Sequence, residues 1–564
     1  MSRRFTTGES PLPLGTALKA LRARGYSIED LRADATAGVI LGVVALPLSM
    51  ALAIAAGAPP ANGLFTAIVA GIVVALAGGS MHSVSGPTAA FVVLLAPVTA
   101  RHGLSGLLAA TAMAGLILLG MGVLRLGKLI QFVPHPVTTG FTAGIGVVIA
   151  VLQLGDFLGI GRLEGERLWE QVADLVSKSS QLSWPDAAIG LATLAVLIGF
   201  PRITKRIPVP LLGLVAAGAL GVLFGATGAE VATIQTQFGD IPAQPPLPVL
   251  PWGELVWADI VDLIPTSLAI AMLGAIESLL CATVADGMTG GRHDPDAELV
   301  GLGLGNLIAP FFGGFAATGA IARTATGIRA GGRTPIAVVV HSLFLLLAML
   351  VLAPILGHIP MAGMAALLLV VAWNMSDATH FIRITRIAPR SDVAVLFVCF
   401  GLTVVYDMVI AVGVGVVFAA LLFMRRMVEI SGAEMSGGPD GHMAAGLPPG
   451  VVFYDVAGPL FFGAAEKALD ALTVIGEGVH TVIINMDDVP AIDATGLVAL
   501  ESAIQSLNTS GIKVVLIGVR PQPRRALTKA GFVDRPGKLE ITDETVDTVT
   551  RFIESGGESD RATL

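Results

Sequence analysis

Between residues 36 and 424 the chain scarcely leaves the apolar alphabet: about fourteen apolar runs follow one another with short polar breaks. No single soluble core hides that much apolar surface, so the bilayer is the expected solvent. Charged residues make up 13% of the chain and the mean hydropathy is +0.80, whereas a soluble chain carries about 25% charged residues. The 68 glycines suit helices that approach closely in lipid. The net charge of -8 sits largely in the C-terminal tail and says little about substrate. Cys281 and Cys399 lie within apolar runs and form neither a metal-ligand spacing nor a disulfide framework. The first apolar run follows about thirty polar, mixed-charge residues, so no cleavable signal peptide is expected.

The runs lie near 36–57, 62–79, 86–97, 104–124, 136–153, 186–200, 208–226, 262–285, 298–313, 318–328, 335–355, 361–375, 392–407 and 408–424. A straight crossing needs ~20 apolar residues, so 86–97 and 318–328 are too short. Each opens on small polar residues, Ser85-Gly86-Pro87-Thr88 and Thr318-Gly319-Ala320. Residues 1–34 are expected to be cytoplasmic, with an interfacial helix over 16–34. Lys and Arg recur in alternate breaks and are absent between Ile207 and Gly291, which places the Pro-rich loop 227–258 outside and both termini inside. The loop 155–183 fits less well: it carries Arg162, Arg167 and Lys178 on the outer side, and an interfacial position would accommodate it. The transport domain is thus expected over 35–427. A Gly/Pro-rich linker follows at 428–448. A soluble α/β domain over 449–558 then alternates strands (451–456, 480–486, 513–518) with helices (463–475, 495–508, 521–531, 543–555).

Three features carry chemistry. A helix that starts inside a membrane exposes unpaired N–H groups, tolerated where they line a cavity, and its N-terminus carries about half a positive charge. Two such ends facing each other make an anion site; the plain alternative is a pair of tight turns between ordinary helices. Glu277 lies deep in the apolar run 269–280. An ionisable group there costs ~2.5–3.5 kcal/mol, so it faces a cavity, finds a partner or is protonated, which suits it to carrying a proton. A packing carboxyl is the alternative. Arg323, in the second short run, would attract anions or pair with Glu277, unless it snorkels to the membrane surface. Cys281, one turn beyond Glu277, reads as a small packing residue. His82, His135, His341 and His358 are scattered. No nucleophile–base pattern, metal cluster or cofactor motif is present, so neither enzymatic activity nor nucleic-acid binding is expected.

At this point the chain resembles the SulP anion transporters, solute carrier family 26. The resemblance rests on Pro60-Ala61-Asn62-Gly63-Leu64-Phe65-Thr66-Ala67, Gly78-Gly79-Ser80, the segments 83–91 and 320–324, and Asp493-Ala494-Thr495-Gly496, which is similar to the core loop of a STAS domain. Asn62 stands where the family usually has Tyr, and Met81 where a basic residue is usual. The resemblance implies an all-α polytopic membrane domain of about 14 segments in 7+7 inverted repeats, with two broken helices, a core and a gate, plus a small α/β STAS domain. It implies a homodimer in a bacterial cytoplasmic membrane and an elevator-like movement. It also implies a STAS domain able to recruit a cytosolic protein. By position it directs Leu48, Leu52, Ser85, Gly86, Thr88, Ala322, Arg323 and Thr324 to a small anionic substrate, and Glu277 to proton coupling. Sodium-driven members carry Asp and Thr where this chain has Glu277 and Cys281; a thiol is a poor sodium ligand. Ala494 replaces the phosphorylated Ser of related domains. Residues 272–290 and 366–376 look most like the family's C4-dicarboxylate uptake members, so proton-coupled succinate or fumarate uptake is expected. The alternatives are sulfate or bicarbonate transport, sodium-coupled or by exchange, and a passive anion channel.

Overall fold

The computed structural model describes residues 13–130, 134–165, 167–203, 208–250, 255–406, 408–430, 432–436, 450–461, 465, 469 and 478–542. The chain divides into two compact units, Met1–Val417 and Phe418–Leu564.

Helix α1 (Thr16–Arg24) is followed at once by α2 (Ile28–Ala55). A capping box starts α2: Ser27 Oγ accepts from the Asp30 N–H at 3.1 Å and Asp30 accepts from the Ser27 N–H at 3.2 Å. The first crossing helix therefore begins before the apolar run, and the boundary expected at 34/35 falls inside it. In place of an interfacial helix over 16–34, α1 lies on the bundle. Its Ala17 and Leu21 are buried, and the Gly15 N–H donates to the Ala77 carbonyl at 2.7 Å.

The helices and strands that follow are α3 (Pro60–Ala77), β1 (Ser85–Gly86), α4 (Ala89–Val123), α5 (Gly127–Ile130), α6 (His135–Phe157), α7 (Leu168–Ser177), α8 (Trp184–Gly199), α9 (Val209–Ala226), α10 (Ile234–Phe238), α11 (Trp257–Thr289), α12 (Pro295–Ile308), β2 (Thr318–Gly319), α13 (Ile321–Arg329), α14 (Ile336–Leu356), α15 (Met361–Ser376), α16 (Ala378–Ile387), α17 (Arg390–Val405) and α18 (Met408–Ile430), the last divided between the two units at Val417. Among the described residues, nine helices are long and apolar enough to cross a membrane. Helix α4 breaks at Gly103, whose φ of 63° and ψ of -165° suit glycine alone, so it supplies two segments. With α12, α13, α17 and α18 the bundle reaches the expected number of about fourteen. Helix α13 has 9 residues, about 14 Å of rise against ~30 Å of hydrocarbon.

The packing repeats in inverted order. Helix α14 lies along α2 and α3 as α4 lies along α12 and α11. Helix α15 faces α6, with α8 on α15 and α17 on α6. One packed group thus holds α2–α4 and α11–α14, and another holds α6–α9 and α15–α17. The two groups meet mainly where α2 touches α9 and α15 and where α4 touches α6.

Beside the bundle, α7 is tied to Glu164 by charge. Asp174 accepts from the Glu164 N–H at 2.9 Å, and Lys178 lies 3.0 Å from both carboxylates. The backbone donor first, then Lys178, holds the Asp174 carboxyl below its ordinary range. A group lowered by folding adds stability above its unfolded pKa and loses it as pH falls through the folded value. The Glu164 amide is therefore expected to lose protection as pH drops below about 4, read by hydrogen exchange corrected for intrinsic rates.

Among the described residues of the second unit, five strands run in the order β3 (Gly432–Ser436), β4 (Val451–Ala457), β5 (Thr481–Asp488), β6 (Lys513–Ile517) and β7 (Leu539–Ile541). Strand β3 is antiparallel to β4 and the rest are parallel. Alternation along β5 sends Val482, Ile484 and Met486 to a core shared with Leu500, Ile504 and Leu516, and Ile483 to the opposite face with Phe453 and Val515. Helices Ala494–Thr509 and Pro521–Lys529 agree with the expected alternation. The linker expected at 428–448 needs correction: α18 runs to Ile430 and 432–436 is an edge strand, leaving 437–449 outside the described residues. The expected helix 463–475 is described only at Ala465 and Leu469, and 543–555 lies outside the described residues.

Candidate functional site

The two short helices start beside each other because their lead-in strands pair. Ser85 faces Gly319 and Gly86 faces Thr318 in an antiparallel bridge, and the Ala320 N–H donates to the Val84 carbonyl at 2.8 Å. Two residues, Pro87 and Thr88, separate β1 from α4, and one, Ala320, separates β2 from α13. Neither N-cap, Thr88 nor Ala320, caps its helix through its side chain. Free N–H groups of two helix ends therefore converge, with the partial positive charge such ends carry.

Reciprocal clamps hold the lead-in loops. Glu298 on α12 accepts from the Gly79 and Ser80 N–H groups, both at 2.9 Å. On the other side, Asn62 on α3 donates to the Gly313 carbonyl at 2.6 Å and Thr66 accepts from the Phe315 N–H at 2.8 Å. Asn306 then mimics a strand: it accepts from the Ala317 N–H at 2.7 Å and donates to the Ala317 carbonyl at 2.9 Å. Asn62 thus has a structural task at a position where the family pattern has another residue.

Helix α11 fastens β2 and α13 along one stripe. Ser278 Oγ accepts from the Gly319 N–H at 2.9 Å and meets Thr318 Oγ1 at 2.9 Å. One turn on, Cys281 Sγ lies 3.1 Å from Thr324 Oγ1 and accepts from Ser83 at 3.8 Å. Thr324 Oγ1 also accepts from the Val84 N–H at 2.9 Å. Glu277, on the neighbouring face, reaches the other short helix: Thr88 Oγ1 donates to its Oε2 at 3.2 Å.

Arg323 is 2% exposed. Its Nη2 donates to the Pro87 carbonyl, and its Nε and Nη1 find no hydrogen-bond partner among the described residues. It neither snorkels nor, among the described residues, pairs with Glu277. The guanidinium instead ties the start of α13 to the turn before α4, and Nη1 would stand 2.8 Å from a Cβ at Gly86.

The expected ligands therefore separate. Thr88 and Glu277 are half-buried and bonded to each other, Leu48 is half-buried, and Ala322 is exposed. Ser85, Gly86 and Arg323 are buried in the frame between the strands. Thr324, expected at the substrate, is fully buried with its oxygen engaged by Val84 and Cys281. Leu52 is 2% exposed and packs inside the bundle. Ser278, Thr318, Asn306 and Glu298 escaped sequence reasoning as frame residues. Ser278 beside Glu277 was the available signal. Among the described residues no cluster of His, Cys, Asp or Glu fits a metal ion.

Comparison with known proteins shows the family and the fold. The model of the sulfate permease family matches residues 31–399, and that of the STAS domain residues 443–549. YvdB of Bacillus subtilis, provisionally named a sulfate transporter, is 38% identical over 526 residues, 93% of this chain and 98% of that protein. The bicarbonate transporter BicA of Picosynechococcus is 30% identical, covering 91% of this chain and 94% of its own. In fold, the murine Slc26a9 anion transporter in its inward-facing state superposes with a TM-score of 0.83 at 20% identity, over 98% of this chain and 96% of that one. The transmembrane domain of a cyanobacterial BicA gives 0.60 at 27% identity, over 70% and 98%.

Proposed function

This chain belongs to the sulfate permease family, and from that premise we propose that it takes up a small oxyanion together with a proton through the site between α4 and α13. It is a multi-pass membrane protein and an anion transporter with a C-terminal STAS domain. The reading rests above all on one observation: Thr88, at the tip of α4, is hydrogen-bonded to Glu277. An anion seated on the two helix ends lies beside that carboxyl, and two negative charges at such range repel strongly where water is scarce. Seating the anion therefore favours the protonated Glu277, so anion and proton travel together. A sodium-coupled reading has less support, since Cys281 is occupied by Thr324 and Ser83.

Sulfate stands first as substrate, because the 38% identical relative carries a sulfate-transporter name; bicarbonate follows from BicA. The C4-dicarboxylate expected from residues 272–290 has no support among the relatives named above and is kept as a competitor to be tested. The division into two helix groups supports an elevator-like movement of α2–α4 with α11–α14 past α6–α9 with α15–α17. The Lys/Arg distribution supports a cytoplasmic membrane with both termini inside.

The test is uptake by purified protein in liposomes, with sulfate, bicarbonate, succinate and fumarate compared under an imposed pH gradient. An inward proton gradient is expected to drive concentrative uptake of one of them. Glu277→Gln is expected to remove that acceleration while leaving counterflow of the bound anion. Unchanged proton dependence in this variant would sink the coupling role.

A further inference from the structure

Helix α7 is inserted between two crossing helices at one end of the bundle. The Ser183 N–H donates to the Leu158 carbonyl at 3.1 Å, which joins the start of α8 to the end of α6. Ten residues of α7 project in three directions. Gln171 is buried and donates to the Gly165 carbonyl at 3.0 Å, on the side where α7 touches α6 and α17. Glu170, Asp174 and Ser177 share a polar side. The third side is apolar and uncovered: Trp169, Val172 and Val176 are 44%, 41% and 67% exposed, at the spacing that aligns residues on one helical face.

An apolar face set against a charged one, on a short helix between two crossing helices in the chain, is the pattern of a helix lying in a membrane surface. What covers the face is indicated by its surroundings. On α8, the crossing helix that follows α7 in sequence, Trp184 at the first turn is 64% exposed, and Leu191 and Ile198 further along are exposed too. The Trp184 ring stands edge-on to Phe224 at 5.3 Å, and Arg167 lies over Trp169 at 4.9 Å. Trp169 and Trp184 both lie in the stretch from the end of α6 to the first turn of α8, and exposed Trp with a cation over one of the rings belongs at the headgroup boundary.

We propose that α7 is an interfacial anchor, with Trp169, Val172 and Val176 sunk among the lipid headgroups and upper acyl chains. Because α7 is fixed to α6 and α17, it ties that group of helices to the bilayer surface. The anchor does not depend on which anion is carried or on proton coupling.

The test places a polarity-sensitive fluorophore on Val176→Cys or Ser177→Cys in liposomes; native Cys281 and Cys399 are buried and stay unlabelled. At Val176 the label is expected to be quenched several times more by lipid carrying a nitroxide near the headgroup than by aqueous iodide. At Ser177 the order is expected to reverse. Val172→Cys is expected to repeat the Val176 pattern, which guards against a local disturbance by one label. Iodide quenching that prevails at both Val176 and Val172 overturns the proposal. So does shielding of both from lipid and iodide alike, which would mean that a second copy of the chain covers the face.

Discussion

Arg323→Ala is expected to weaken anion binding by about 10- to 100-fold, the equivalent of the ~1.5–3 kcal/mol carried by a hydrogen bond to a charged group. The side chain does two things at once. It supplies the full positive charge nearest the turn that opens α4, and through the Pro87 carbonyl it holds that turn against α13. Removing it leaves a buried carbonyl without its donor and lets the two helix ends drift apart. A displacement on the order of 1 Å is enough to spoil a site built from backbone N–H groups. Arg323→Lys separates the two contributions. Lysine keeps the charge but has no planar fork, so it is expected to recover only part of the affinity. The measurement is the concentration dependence of uptake in liposomes, with thermal stability of each variant checked in parallel. Full affinity in Arg323→Ala would show that the guanidinium serves neither anion nor frame.

How much of this was legible from the sequence depends on what kind of group carries each feature. The broken helices were legible, because Ser85-Gly86-Pro87-Thr88 and Thr318-Gly319-Ala320 interrupt apolar runs too short to cross. Glu277 was legible as an acid where acids are costly. The direction of side chains on α13 was not. In a helix of 9 residues each position points a different way, and the Pro87 carbonyl, the Val84 N–H and the Cys281 thiol hold Arg323 and Thr324 toward the frame while Ala322 stays open. Helix starts fixed by caps also moved: Ser27 and Asp30 draw α2 back into polar sequence. Strand β3 was hidden by the Gly/Pro-rich run that follows it. The substrate was the least legible of all, since free N–H groups at a helix end donate to any small oxyanion and carry no side-chain signature.

Gly319→Val is expected to abolish uptake and to lower thermal stability more than any other single glycine replacement in β1 or β2. A Cβ at this position would stand 2.9 Å from Cys281 Cβ and 3.0 Å from Ser278 Cα. Those atoms belong to the main body of α11 and cannot swing aside as a flexible side chain would. Overpacking of this sort costs about 1–3 kcal/mol, and valine adds two methyl groups beyond the first clash. Moving α11 away from β2 also breaks the Gly319 N–H to Ser278 bond and the Thr318 to Ser278 contact. With them goes the register that keeps α13 beside α4. Gly218→Ala is the control: nothing lies within 4 Å of its would-be Cβ, so inside α9 it is expected to leave uptake unchanged and to hold or slightly raise thermal stability. If the clash is the cause, Gly319→Ala is expected to be the milder defect and to be partly relieved by Cys281→Gly, which removes the nearest carbon. The gain is limited by the ~1 kcal/mol that a glycine costs inside a helix. A Gly319→Val protein that melts and transports like the parent would mean that α11 is not the wall against which the two half-helices are aligned.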